Sequence, residues 1–138
     1  MLPFEVFEHT ADIGLKAYGT TLKEAFENAA RGMFGLMVEP ARVESREKVT
    51  VQAEADDREG LLVAWLNELI YIFDTGDILF KDFEIEKWDQ KSYLKAFAYG
   101  EQVDLKKHQF ETEIKACTYH KLKVTRNHIW TCQVIFDV

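Results

Sequence analysis

Residues Thr21–Met37, TLKEAFENAARGMFGLM, decide the fold class. Leu22, Ala25, Phe26, Ala29, Ala30, Met33, Phe34 and Met37 recur at three- and four-residue steps, which predicts one broad apolar helix face. Thr21 and Glu24 form a capping box at its start, and the pattern stops near Pro40. A helix that is apolar on one side needs a surface to cover it, and the flanking sequence supplies strands. Upstream, Phe4–His9 and Ile13–Tyr18 read as strands interrupted by Thr10-Ala11-Asp12, with Gly19 closing the second. Downstream, Arg46–Glu54 alternates as a strand. Asp56 and Glu59 then repeat the capping logic before a second helix. Its stripe is Leu62, Trp65, Leu66, Leu69, Ile70 and Phe73, and it closes around Asp74-Thr75-Gly76. Ile78–Trp88 and Ser92–Tyr99 are two further strands joined around Asp89-Gln90, and a polar loop over 100–107 leads to a terminal hairpin. The expected fold is α+β: a mainly antiparallel or mixed β-sheet with two amphipathic helices packed on it, in a single compact domain over 1–138.

Composition narrows the function classes. The chain has 138 residues, with 24 Asp and Glu against 17 Lys and Arg, a net charge of −7 and 47% apolar residues. That length is enough for one domain with a core that needs no staples. The longest apolar run, Leu61–Leu66, is far short of a membrane span, and MLPFEVFEH lacks the basic start of a signal peptide. A soluble, cytoplasmic domain with no membrane association is expected. The acid excess argues against direct, stable nucleic-acid binding, which needs Lys and Arg to neutralise phosphates.

The terminal hairpin also decides the cysteines. Thr112–Thr125 alternates, His128–Val138 is rich in β-formers, and Arg126–Asn127 suits a two-residue loop. That loop pairs Thr125 with His128, places Cys117 opposite Phe136 and sets Cys132 opposite Lys121. The two sulfurs are then on the order of 13 Å apart along the strands at 3.3 Å per residue, too far for a disulfide. Two buried or half-buried thiols are expected, and with no CxxC and no clustered His a structural zinc site is not.

No Walker loop, GxGxxG, GxSxG or HExxH occurs in the sequence. Three polar features remain. Asp12, within His9-Thr10-Ala11-Asp12-Ile13-Gly14, reads either as a turn residue bonding nearby backbone or as a carboxylate presented on a tight bend. Asp137 stands one residue from the α-carboxylate of Val138, and such a pair binds a hard cation weakly unless a third ligand joins it, for which Asp12 is the candidate. Lys115 falls opposite Val138 and Ala116 opposite Asp137, so the ammonium lies near the terminal acids. It serves there either as a surface ion-pair partner or as a group meeting a phosphate or a partner carboxylate. His120 reads more readily as a strand histidine than as a ligand, and His108 and His128 carry less weight still.

HTADIG at His9–Gly14, TLKEAFENAARGMFGLM at Thr21–Met37, LLVAWLNELIYIFD at Leu61–Asp74, EIKACTYHKL at Glu113–Leu122 and VIFDV at Val134–Val138 together resemble the archease family, essentially end to end. The resemblance implies an accessory protein, not an enzyme: an activator of the RtcB-type tRNA ligase that promotes its guanylylation and multiple turnover in tRNA splicing. It implies a divalent-metal site, Ca²⁺ with Mg²⁺ or Mn²⁺ as alternatives, built from Asp12, Asp137 and Val138. It also implicates Lys115 in activation, with His9, Tyr119 and His120 falling in family motifs without firm roles. Cys117 stands where a small aliphatic residue is commoner. Two other classes stay open: a chaperone-like module keeping a tRNA methyltransferase soluble, and a metal-dependent enzyme acting on a nucleotide or phosphoester.

Overall fold

The computed structural model describes residues 2–9 and 12–138; residues 10 and 11 and the side chain of His9 lie outside the described residues, and with them the expected bend at Thr10-Ala11. Among the described residues the order is β1 (Phe4–His9), β2 (Asp12–Gly19), α1 (Leu22–Met37), β3 (Glu47–Glu54), α2 (Arg58–Gly76), β4 (Ile78–Trp88), β5 (Tyr93–Gln102), β6 (Ala116–Asn127) and β7 (Ile129–Asp137), with one 3₁₀ turn at Pro40–Arg42. The α+β class holds, and the strands divide between two sheets, β1-β2-β7-β6 and β3-β5-β4. Every pairing is antiparallel. The helices lie between the sheets: α1 packs on β2, β7 and β4, and α2 on β6 and β3 with contacts to β4 and β5.

Local chemistry starts each helix. Thr21 caps α1 by accepting from the Glu24 N–H at 3.1 Å. The Glu24 carboxylate reaches back to the Thr20 N–H at 3.1 Å, one residue earlier than the usual reciprocal partner. The cap of α2 is Asp57, not Asp56: its carboxylate accepts from the Gly60 N–H at 2.7 Å.

The two helices bury different amounts of surface. The apolar stripe of α1 faces the core as its periodicity requires. In α2, Leu61, Leu62, Val63, Trp65, Leu66, Leu69 and Ile70 are all buried, so this helix is covered on more than the one side its stripe suggested. Buried polar bonds fix the layers. The Trp65 indole donates to the Phe26 carbonyl at 3.0 Å, joining α2 to α1. The buried Glu27 carboxylate accepts from the Ile85 N–H at 2.8 Å, joining α1 to β4. Phe34, Phe80, Phe83 and Trp65 fill the space between, with the Phe34 ring 5.6 Å from Phe80 and 5.7 Å from Phe83. Gly100 is required where β5 passes β4, since a Cβ there would lie 1.7 Å from the Leu79 carbonyl oxygen. Two similar runs, LKAYG at Leu15–Gly19 and LKAFAYG at Leu94–Gly100, fall in β2 and β5, both interior strands with alternating burial.

The terminal hairpin differs from its expected register. Asn127 pairs with Ile129 across His128, which takes φ 68°, and Thr125 pairs with Thr131 instead of His128. Cys132 therefore lies opposite Val124, not Lys121. Further along, the register shifts between Thr118 and Lys123, where β6 carries extra residues and Lys121 takes φ 52°. The bulge offsets the tighter turn, so Cys117 does lie opposite Phe136 and Ala116 opposite Asp137. Both cysteines are free and buried. Strand β6 also begins later than expected, at Ala116, and β5 extends to Gln102.

As the outer strand of its sheet, β6 has backbone groups that need partners other than β7. Asn67 of α2 supplies them at Cys117: its amide donates to the Cys117 carbonyl at 3.1 Å and its oxygen accepts from the Cys117 N–H at 2.8 Å.

Candidate metal and partner site

Strand order brings distant parts of the chain to one end of the four-stranded sheet. Strand β2 lies between β1 and β7, and its register pairs His9 with Asp12 on one side and Ile13 with Phe136 on the other. Continuing the register one step beyond the Ile13–Phe136 pair brings Asp12 level with Asp137, and Ala116 of β6 pairs with Asp137 on the far side. Lys115 is fastened to the same row, its N–H donating to the Asp137 carbonyl at 2.8 Å. Thus Asp12, Lys115, Asp137 and Val138 share one end of the sheet.

Alternation settles which face the acids take. Leu15, Ala17, Cys132, Val134 and Phe136 point into the core. Asp12 and Asp137 are offset from those residues by odd steps and so fall on the outer face. Asp137 is exposed, Asp12 and Val138 are half-buried, and Lys115 is exposed. Gly14 is an interior strand residue opposite Phe7, within the strand expected over Ile13–Tyr18, and the strand begins one residue earlier, at Asp12. The Phe7 ring covers Gly14 so closely that a Cβ would lie 2.2 Å from the ring.

The candidate histidines separate. The backbone of His9 sits beside Asp12, and its side chain lies outside the described residues. His120 is an exposed residue of the β6 bulge, and its N–H donates to the Thr118 hydroxyl at 3.3 Å. The bulge faces Val134, which places it about 10 Å along β7 from the Asp137 row at 3.3 Å per residue. Among the described residues, no three His, Cys, Asp or Glu side chains converge as a metal-holding group. Any cation held at the sheet end needs more than side-chain ligands from those residues.

A second polar cluster, around His108 and Glu101, lies elsewhere. His108 is 2% exposed. Its Nδ1 accepts from the Asp104 N–H at 2.9 Å and its Nε2 meets the Glu101 carboxylate at 3.1 Å. An acceptor at Nδ1 fixes the neutral tautomer with the proton on Nε2, which donates to Glu101. Burial would push Glu101 upward. Hydrogen bonds from the Lys107 ammonium, the Glu44 N–H and His108 outweigh it and hold the carboxyl down at about 2. The cluster fastens the segment 103–108 to the end of β5. No periodicity marks it, because its members are drawn together from a loop and a strand end.

Beside Lys115 a cleft of about 920 Å³ opens between the end of α2 and the segment 103–115. Phe73, Phe110 and Ile114 form its apolar floor, and Asp74, Asp77, Glu111 and Glu113 stand at its rim.

A family model described as the Archease protein family (MTH1598/TM1083) matches residues 4–138. The chain is 40% identical to "Protein archease" of Pyrococcus furiosus over 142 aligned positions, covering 100% of both chains. It is 43% identical to "Protein archease" of Methanosarcina acetivorans, covering 98% of this chain and 95% of that one. The solution structure of Methanobacterium thermoautotrophicum protein 1598 superposes with a TM-score of 0.84 at 39% identity, covering 99% of each chain. The strands that bring Asp12 to Asp137 thus lie within a family match covering nearly the whole sequence, and the chain belongs to the archease family.

Proposed function

We propose that this protein is an accessory factor, not itself an enzyme, that activates an RtcB-type tRNA ligase in the cytoplasm. The observation that carries the reading is the sheet register, which sets Asp12 across from Asp137 beside Val138 and Lys115. Charges of one sign placed together at a strand end repel, so such an arrangement favours a cation or a cationic partner surface. The donor set suits a hard divalent ion: the carboxylates of Asp12 and Asp137 and the α-carboxylate of Val138 offer only oxygen, which fits Ca²⁺, Mg²⁺ or Mn²⁺ and not zinc. Protein or solvent oxygens would complete the shell. The ion would supply a fixed positive charge near the ligase's nucleotide. The chain's own contribution is positional, with Lys115 held at the site through its backbone bond to Asp137. Two free, buried thiols fit a reducing compartment.

Guanylylation and multiple-turnover ligation by the ligase test the proposal, using Asp12→Ala, Asp137→Ala and a chain ended at Phe136. Each variant is expected to lose most of the activation while keeping its melting temperature. Full activation by all three would sink the reading. Equilibrium dialysis with Ca²⁺ then separates metal loss from loss of docking, and affinity should fall as the carboxylates protonate in acid.

A further inference from the structure

We propose that the cleft between the end of α2 and the segment 103–115 docks a basic, apolar-containing segment of a partner protein, with Lys or Arg side chains at the rim and aliphatic or aromatic ones on the floor. Three observations carry this. First, the cleft carries four acids against one base. Asp74, Asp77, Glu111 and Glu113 have no ion-pair partner among the described residues, and Lys115 is the one base among the described lining residues. Second, Asp74 and Asp77 sit where helix electrostatics disfavour them. The C-terminal end of a helix carries partial negative charge and attracts basic residues. Here α2 ends with Asp74 in its last turn, Asp77 as its cap and no basic residue. The end of α1, at Met37, also lines the cleft and has no base in its last turn.

Third, the floor is apolar and partly open to solvent. The Phe110 ring lies 5.9 Å from Phe73, tilted by 46°, and remains 39% exposed, and Leu105 at the mouth is 80% exposed. A bare metal ion or a small polyamine makes use of the rim and leaves this apolar surface wet. A peptide carrying cations and apolar side chains satisfies both, and about 920 Å³ holds several side chains. The segment is firmly based, since the Glu111 N–H donates to the Met37 carbonyl at 2.9 Å and the Val103 N–H to the Asp77 carbonyl at 2.8 Å. The cleft is thus largely formed before any partner arrives.

Ligand-free protein gives the first test. In a variant carrying Asp74→Asn, Asp77→Asn, Glu111→Gln and Glu113→Gln, like-charge repulsion at a helix end is removed, and Asn keeps the left-handed conformation of residue 77, φ 52°. Its melting temperature is expected to rise by about 2 °C or more. A fall would mean that the acids serve stability and would overturn the proposal.

Binding gives the second test, by fluorescence anisotropy with a short labelled peptide of alternating Leu and Lys. Saturable binding is expected, at least about tenfold weaker in the neutralised variant and in Phe110→Ser. The same peptide with Glu in place of Lys should not bind. Amide-exchange protection should fall on 73–77 and 103–115. The proposal is overturned by absence of saturable binding, by unchanged affinity in the neutralised variant, by protection elsewhere, or by spermidine binding as tightly as the peptide. Neither test involves a metal or the ligase, so failure here and failure of the activator reading are separable.

Discussion

Replacing Asn67 with alanine tests how the edge strand β6, and with it the end that carries Lys115, is held. The Asn67 side chain makes two hydrogen bonds to one backbone unit, accepting from the Cys117 N–H at 2.8 Å and donating to its carbonyl at 3.1 Å. Alanine removes both and leaves two backbone groups at a residue only 4% exposed without those partners. Each unsatisfied group costs about 1–3 kcal/mol, and water reaching the half-buried neighbourhood of Asn67 recovers part of it, so the total is about 2–4 kcal/mol. Against a stability on the order of 5–15 kcal/mol, that is a large fraction. At roughly 3–4 °C per kcal/mol for a domain of this size, the melting temperature should fall by about 6–16 °C. Asn67→Asp keeps an acceptor for the N–H but sets a carboxylate oxygen against the carbonyl, so it should not rescue the loss. Circular dichroism gives the melting temperature, and hydrogen exchange locates the effect. The Cys117 amide should exchange faster, while Ala96 in the interior strand β5 should keep its protection relative to global stability. A melt within about 2 °C of the parent would refute the bookkeeping. Equal acceleration at Cys117 and Ala96, beyond the global change, would refute the local role of Asn67.

Two further outcomes follow from buried titratable groups. Glu101 has its folded-state value held at about 2 against 4.5 in the unfolded chain, so its contribution is fully present above about pH 4.5 and is lost as pH falls through about 2. Glu101→Gln should therefore lower stability at neutral pH and flatten the loss across that acid range, and urea melts giving parallel curves for parent and variant would contradict this assignment. Burial pushes the Cys117 thiol up to about 12 and the more deeply buried Cys132 thiol higher still, so neither offers thiolate at pH 8. A thiol reagent should label both only as fast as the protein opens, and rapid stoichiometric labelling of the native state would show that the sheet does not cover them.

Legibility followed the range of the interactions involved. The helices over Thr21–Met37 and Leu61–Gly76 were readable because periodicity and capping are local. The capping pattern points to Asp56, one residue from the true cap, because Asp56 and Asp57 are chemically equivalent in sequence and only backbone geometry chooses Asp57. The hairpin shows the opposite limit. Its turn at His128 and its bulge near Lys121 each use a left-handed residue that is not glycine, so no composition marked them. Cys117 opposite Phe136 emerged correctly because the tighter turn and the bulge offset one another. His108 belongs to no periodic pattern, yet a histidine outside the strands is buried when a strand-end carboxylate such as Glu101 is there to satisfy it.

The sequence by itself determined the α+β class, the two capped helices, the absence of a disulfide and the adjacency of Asp137 to Val138, since each rests on residues close along the chain. Only the tertiary structure decided that the strands form two sheets with the helices between them, that β2 lies against β7, and that α2 ends in an acid-rimmed cleft. The physical reason is that periodicity reports which face of an element is apolar and carries no information about what covers it. Strand partnership across the length of the chain sets the position of Asp12 opposite Asp137, and that partnership is fixed by how the whole core packs.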